Sequence, residues 1–189
     1  MTRIKNRFDQ LAAKGEKALI AYIMAGDPDL SETEKIVLEM EKAGADLIEL
    51  GVPFSDPVAD GPTIQKAAER ALRQDVTLPL ILERVALLRK KTKIPILLMT
   101  YLNPICAMGV ELFFKEARRV GVDGVIVPDL PLEEAKECLY WSRRYRIDLV
   151  FLVAPTTPLD RIAKISAVAT GSQHPMKPKR FPVLPMVWS

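Results

Sequence analysis

Histidine is almost missing from this sequence: the 189 residues contain one, His174, near the C-terminal end. A Ser-His-Asp or Cys-His catalytic arrangement in the body of the chain is thereby excluded, as is a histidine metal cluster. Cysteine is nearly as scarce. Cys106 and Cys138 lie far apart and have no CxxC or Cys/His neighbours, so they read as free thiols. No apolar run approaches the roughly 20 residues of a membrane span; the longest, "IPILLM", is strand-sized. Neither GxGxxG nor GxxxxGK occurs, which removes the usual phosphate-cradling signatures of nucleotide sites. An excess of one charge is also lacking in the body of the chain. The formal +3 (27 basic residues against 24 acidic) is accounted for by Lys177, Lys179 and Arg180, which follow Gly171 with no acid among them. A nucleic-acid footprint needs a basic face on the folded part, so no nucleic-acid partner is expected.

What is present is the composition of a soluble globular chain, 49% apolar and 27% charged, of a length suited to one sizeable core. "MTRIKNRFDQLAAKGEK" sets Ile4, Phe8, Leu11 and Ala12 at helical spacing, which predicts an amphipathic helix rather than a signal peptide. Cytoplasm is the expected location, with no membrane partner. Five short, nearly continuous apolar runs follow: residues 18–24, 46–52, 93–101, 123–129 and 148–155. Such runs suit strands buried on both faces. Charged, helix-periodic stretches separate them. "LSETEKIVLEMEKAG" opens with a Ser31 to Glu34 capping-box pattern and ends on Gly44, and several others carry proline at or near the first turn. Strands alternating with helices predict βαβ units and a parallel sheet. Polar residues recur at the carboxyl ends of the strand runs: Asp27, Glu49, Asn103, Asp129 and Thr156. In a (β/α)8 barrel those ends share one mouth, so the fold expected is an α/β barrel rather than an open doubly wound sheet.

Residues 48–65, "IELGVPFSDPVADGPTIQ", raise the main question about chemistry. Side chains alternate along a strand, so Glu49 and Leu47 share a face and Ile48 and Leu50 the other. If Ile48 and Leu50 pack under helices, Glu49 points into the barrel. An apolar setting raises a carboxyl pKa and fits the group for general acid-base work; the bland alternative is a rim residue satisfied by an amide or a lysine. Asp60 precedes Gly61 and Pro62, and capping of the following helix would suffice to explain it. Asp56 before Pro57 reads as a surface turn. The loop is long for a βα connection and stiffened by prolines, as binding loops often are.

This 18-residue segment resembles the signature of the tryptophan synthase alpha chain and aligns with it without a gap. "AYIMAGDPDL", "LMTYLNPI", "GVDGVIVPDLPLEE" and "FLVAPTTPLDRI" resemble the same family's first, third, fourth and fifth strands with their exits, and the resemblance covers residues 1–171. It implies a (β/α)8 barrel that cleaves indole-3-glycerol phosphate reversibly to indole and glyceraldehyde 3-phosphate, with no metal or organic cofactor of its own. The family's catalytic carboxylates fall on Glu49 and Asp60. An indole pocket would be lined by Tyr22, Ile64, Met99, Tyr101, Ile126 and Leu152, each of which reads equally as core. The resemblance further implies docking on a pyridoxal-phosphate-dependent beta chain, in an alpha2beta2 complex, through Asp56, Pro57, Asn103, Pro104, Asp129 and Pro131.

One stretch departs from the family pattern. After "SAVATG" the family continues into three more strands, whose glycine- and serine-rich loops hold the substrate phosphate. Here residues 172–189 read "SQHPMKPKRFPVLPMVWS", a Pro-rich basic tail outside an incomplete barrel of residues 1–171. A shifted reading frame or a truncated gene is the expectation, and beside the lyase stands a second reading, an inactive fragment that retains the docking surface.

Overall fold

The computed structural model describes residues 2–169. The tail of 172–189, with His174, lies outside the described residues.

The strands are β1 (Ile20–Met24), β2 (Leu47–Gly51), β3 (Ile96–Met99), β4 (Gly124–Ile126) and β5 (Asp148–Val150). They form one parallel sheet in the order β1-β2-β3-β4-β5. A doubly wound sheet reverses its strand order at a switch point, whereas this order advances by one at every step, as around a barrel wall. The fold is therefore an arc of a (β/α)8 barrel, incomplete among the described residues. Outside it run α1 (Arg3–Lys14), α2 (Leu30–Lys42), α3 (Pro62–Leu72), α4 (Leu78–Leu88), α5 (Leu102–Met108), α6 (Val110–Val120), α7 (Lys136–Tyr145) and α8 (Leu159–Val168). None of these helices is long and apolar enough to cross a membrane.

Two apolar clusters follow from strand alternation. Ile48, Leu50, Ile96, Leu98, Val125 and Leu149 face the helices and join the large cluster with Val37, Ile81, Val85, Leu88 and Phe113. The opposite faces supply Leu47, Leu97, Met99 and Ile126, with Ile4 of α1, to the smaller interior cluster. Glu49 alternates with Leu47 and so faces the interior, as its spacing predicts.

Helix α1 closes the floor under the strands' amino ends. A Cβ on Gly124 would lie 3.0 Å from Ile4 Cδ1, so the missing side chain is what admits Ile4. Buried carboxylates just before or at the strand starts secure it. Asp46 accepts from Arg7 Nη2 at 2.5 Å and from the Leu19 amide at 2.6 Å. Asp123 accepts from Arg3 at 2.8 Å, from Arg89 at 2.5 Å and from the Ile96 amide at 2.9 Å.

Several local expectations are corrected. The cap of α2 is Asp29, not Ser31: Asp29 Oδ1 accepts from the amides of Ser31 and Glu32 at 2.7 and 2.9 Å. Its extended backbone puts a short carboxylate over the first turn, and Glu34, freed from a capping box, pairs with Lys91 instead. The third and fifth strands are shorter than their apolar runs, because the ladders of β3 with β2 and β4 stop at Met99 and that of β5 with β4 stops at Val150.

Candidate active site at the strand ends

The loop from Val52 to Gly61 joins β2 to α3 over the carboxyl ends of the strands. Asp60 does not cap that helix. Gly61 is the N-cap residue, without a side-chain cap bond, and Pro62 occupies the first turn, where a missing N–H costs nothing. The Asp60 backbone is instead held from the helix side, its carbonyl accepting from Gln65 Nε2 at 2.8 Å. Its carboxylate is left free of the helix. Burial raises the Asp60 pKa, and the neighbouring Tyr101 hydroxyl pulls it back.

Glu49 is half-buried on β2, and no hydrogen bond or ion pair holds its carboxylate among the described residues. Burial alone raises its pKa. Among the described residues no amide or lysine satisfies it in the manner of a rim carboxylate. A carboxyl raised in pKa, unspent on structure and facing an apolar interior, is suited to handing a proton over and taking one back.

Tyr22 links the two acids. It pairs in register with Glu49 across the β1-β2 ladder. Its ring crosses the strand at Gly51, where a Cβ would sit 2.2 Å from the Tyr22 hydroxyl oxygen, so glycine there is a condition of the ring's position. Burial raises the Tyr22 phenol pKa far above its ordinary value, and the negative charges of Asp60 and Glu49 add to the effect. Tyr22, Glu49, Asp60 and Tyr101 are thus one electrostatic neighbourhood.

The remaining residues named from the sequence fall around it. Met99 and Ile126 are buried interior residues, packed in the same cluster as Tyr22. Ile64 is half-buried on the first turn of α3. Leu152 lies beyond the end of β5 and is 48% exposed. Tyr101 is 4% exposed, and its hydroxyl is committed to the loop, accepting the Ala59 N–H at 3.0 Å while its ring packs on Phe54 at a centroid distance of 5.3 Å. Phe54, Gln65 and Gly51 were not expected from the sequence. All three lie in or beside the quoted segment, but their contacts reach across the fold, and only Gly51 carried a signal, as a glycine at a strand end.

The surface residues group on neighbouring loops. Asp56 is exposed, 2.5 Å from the Ser55 hydroxyl, which donates to it, with Pro57 beside it. Asn103 and Pro104 sit in the first turn of α5, a helix where the sequence predicts a strand exit. Asp129 is exposed, and its Oδ1 accepts the Leu102 N–H at 2.9 Å, tying the loop after β4 to the start of α5; Pro131 follows on the same loop. Among the described residues no group of three or more histidines, cysteines or acids is arranged to hold a metal ion.

Comparison with known proteins bears on what this arrangement serves. The model of the family described as tryptophan synthase alpha chain matches residues 8–173. The chain belongs to the tryptophan synthase alpha chain family. The alpha chain of Citrifermentans bemidjiense is 55% identical over 171 residues, covering 90% of this chain and 64% of that one. Among solved structures, the tryptophan synthase subunit alpha of Legionella pneumophila superposes with a TM-score of 0.88 at 41% identity, covering 90% of this chain and 66% of its own. A chain of the tryptophan synthase a2b2 complex of Pyrococcus furiosus matches with a TM-score of 0.78 at 45% identity, over 81% of this chain and 65% of that one. This chain thus spans about two thirds of the length of the family members it matches.

Proposed function

We propose that this chain carries the acid-base and indole-binding part of a tryptophan synthase alpha site, which cleaves indole-3-glycerol phosphate to indole and glyceraldehyde 3-phosphate. One observation carries the reading: two carboxylates at one barrel mouth, neither spent on capping or ion pairing, one of them raised in pKa by burial alone. Protonated Glu49 gives its proton to indole C3, leaving positive charge on the ring and its nitrogen. The Asp60 carboxylate accepts the ring N–H and stabilises that charge. Glu49, now a base, takes the proton of the side-chain hydroxyl next to the ring. The carbon-carbon bond to C3 breaks, its electron pair returns to the ring, and the alcohol carbon becomes the aldehyde. Protons balance, so neither metal nor organic cofactor is called on, and pyridoxal phosphate is assigned to a beta chain. Tyr22, Met99 and Ile126 supply an apolar wall for the indole, with Ile64 and Leu152 at its rim, in a cytoplasmic enzyme of tryptophan biosynthesis.

The second reading, a docking fragment without turnover, is favoured by a specific placement. Asp56, Pro57, Asp129 and Pro131 lie on the loops after β2 and β4, and Asn103 and Pro104 on the first turn of α5 after β3, so a beta-chain surface needs nothing beyond the described arc.

The test joins residues 1–169 to the last third of the Citrifermentans bemidjiense alpha chain and assays indole release. Glu49→Gln and Asp60→Asn should each lower turnover by roughly 10²- to 10⁴-fold, the range for positioned acid-base groups. Turnover within a few-fold of the parent in Glu49→Gln would remove Glu49 as the proton carrier.

A further inference from the structure

The residues that α3 buries are Ala67, Ala68 and Ala71, and a face of methyl groups offers only shallow ridges for neighbouring side chains to lock into. Apolar packing lets this helix lie close to the sheet but does little to fix its position along its own axis. Directional bonds toward its carboxyl end do so. Arg70 donates from Nε to Asp27 Oδ1 at 2.8 Å and from Nη2 to Asp27 Oδ2 at 2.7 Å, the two-pronged geometry that a guanidinium provides and an ammonium does not. One turn on, Gln74 Nε2 donates to the Pro28 carbonyl. Val76 packs over Gly26, where an added Cβ would lie 2.5 Å from Val76 Cγ2. Three consecutive residues of the loop after β1 are thus each met by α3 or by the chain just beyond it.

That loop is a firm anchor. The Gly26 N–H donates to Thr33 Oγ1 at 2.9 Å, the Thr33 hydroxyl donates to the Asp29 carbonyl at 2.8 Å, and Thr33 is 1% exposed. The Ala25 N–H donates to the Gly51 carbonyl at 2.9 Å, so the loop is continuous with the ladder in which Tyr22 pairs with Glu49. At its other end α3 carries Gln65, which holds the Asp60 carbonyl at 2.8 Å. The grip on Asp27 therefore reaches Asp60 through one helix, starting from the strand that stands beside Glu49. An exposed ion pair adds little to stability, and the Arg70 side chain is 53% exposed, so the worth of this pair lies in the register it fixes. A carboxylate that must meet a ring N–H in a fixed direction gains from such a register, because misplacement of a charge-stabilising group erodes most of its effect.

We infer that Arg70 is a positioning residue for the cleavage reaction: its fork on Asp27 sets the register of α3 against the exit of β1 and, through Gln65, the place of Asp60 relative to Glu49. The inference rests on the reading of Asp60 given above, so its first test is read without turnover. In the 189-residue chain, Arg70→Met keeps the aliphatic stem and loses the fork, and Asp27→Asn keeps the shape and loses the charge that receives it. Hydrogen exchange is followed at the amides of Gln65, bonded to the Gly61 carbonyl, and Ala59, bonded to the Tyr101 hydroxyl. The Phe113 amide of α6, bonded to the Gly109 carbonyl, is the reference. Each variant should speed exchange at Gln65 and Ala59 by roughly fivefold, the upper range for an exposed pair of good geometry, and leave Phe113 unchanged. The double variant should exchange no faster than either single one, since both remove the same pair. In the joined protein, Arg70→Met should lower kcat roughly tenfold with KM changed less than twofold, and Arg70→Lys, which keeps one prong, should fall between it and the parent. Unchanged exchange at Gln65 and Ala59, equal acceleration at all three amides, or additive effects in the double variant would overturn the inference. So would an unchanged kcat in Arg70→Met of a joined protein that Asp60→Asn does slow. Full turnover in Asp60→Asn would instead overturn the reading of Asp60, and the exchange rates alone would then decide the clamp.

Discussion

Two inward carboxylates show how position decides what a residue is for. One pairing row of the sheet runs Tyr22, Glu49, Leu97, Gly124, Asp148. Because barrel strands tilt against the axis, that row descends from the mouth at Tyr22 to the floor at Asp148, the first residue of β5. Asp148 is 4% exposed, its Oδ2 has no hydrogen-bond partner among the described residues, and burial pushes its pKa up to about 6. Glu49, next to Tyr22 in the row, is raised for the same reason nearer the mouth. For a carboxyl raised in the folded state, the unfolded chain holds fewer protons than the folded one between the two pKa values. Stability therefore falls as pH rises through that window and stays lowered above it. Asp148→Asn should raise stability above about pH 6, by at most on the order of 3 kcal/mol for a shift from about 3.8 to about 6, and should make little difference below about pH 4, where both forms are neutral. Urea unfolding at pH 4 and pH 7.5 measures this; an equal effect at both would place the gain in packing rather than in charge. Glu49→Gln should stabilise with the same sign of pH dependence, and of the two only Glu49→Gln should slow cleavage in the joined protein by the factor given above.

At the scale of elements, the parts legible in the sequence were those with a local cause. Continuous apolar runs announced all five strands, and the alternation of "LIEL" gave Glu49 its direction. Helices were readable from period and proline, but their caps were not, since Ser31 and Asp29 both satisfy the composition rule and only the backbone at Asp29 decides between them. Helix α5 was hidden because Pro104 inside a seven-residue helix reads as a strand exit. The floor carries a repeating signal: an aspartate opens "DLIEL", "DGVIV" and "DLVFL", and the first two hold α1 through Arg7 and Arg3, the second also pairing with Arg89 at the end of α4. The bond from Ala59 to the Tyr101 hydroxyl carries no such signal, being a contact between elements. Asp129 belongs to the same class, for its bond to the Leu102 amide makes it a cap for α5 as well as a surface acid. Asp129→Ala should therefore cost about 1 kcal/mol of stability and also weaken beta-chain binding, by loosening Asn103 and Pro104. Asp56→Ala, at a residue whose only side-chain bond among the described residues is to neighbouring Ser55, should weaken beta-chain binding with little loss of stability. Thermal unfolding and titration with a beta chain separate the two, and a stability loss in Asp56→Ala matching that of Asp129→Ala would contradict the distinction.

The whole molecule sets the conditions under which any of these sites acts. A closed barrel takes eight strands, and the described arc has β1 and β5 as its edge strands. Edge strands invite pairing with other chains. Apolar side chains lie open near them and on the mouth: Leu19 is 57% exposed, Leu152 48%, Leu159 79% and Val58 81%. The interior cluster, by contrast, is small, five buried residues with Ile4 as its plug, because an arc encloses less than a ring. A surface of this kind favours association, and the family's phosphate-holding loops have no counterpart among residues 2–169. The 189-residue chain should therefore sediment above the monomer mass at micromolar concentration, unfold with low cooperativity and release no measurable indole from indole-3-glycerol phosphate. It should nevertheless bind a beta chain, since the loops after β2, β3 and β4 are in place. The joined protein with the Citrifermentans bemidjiense segment supplies the missing comparison: its edges have partners to close on, so it should be monomeric and active. Equilibrium sedimentation of both proteins, with residues 1–169 alone as a third sample, distinguishes the causes. A cooperative, active monomer from the 189-residue chain, and not from residues 1–169, would mean that the last 20 residues cover the edges and that the arc completes its own site.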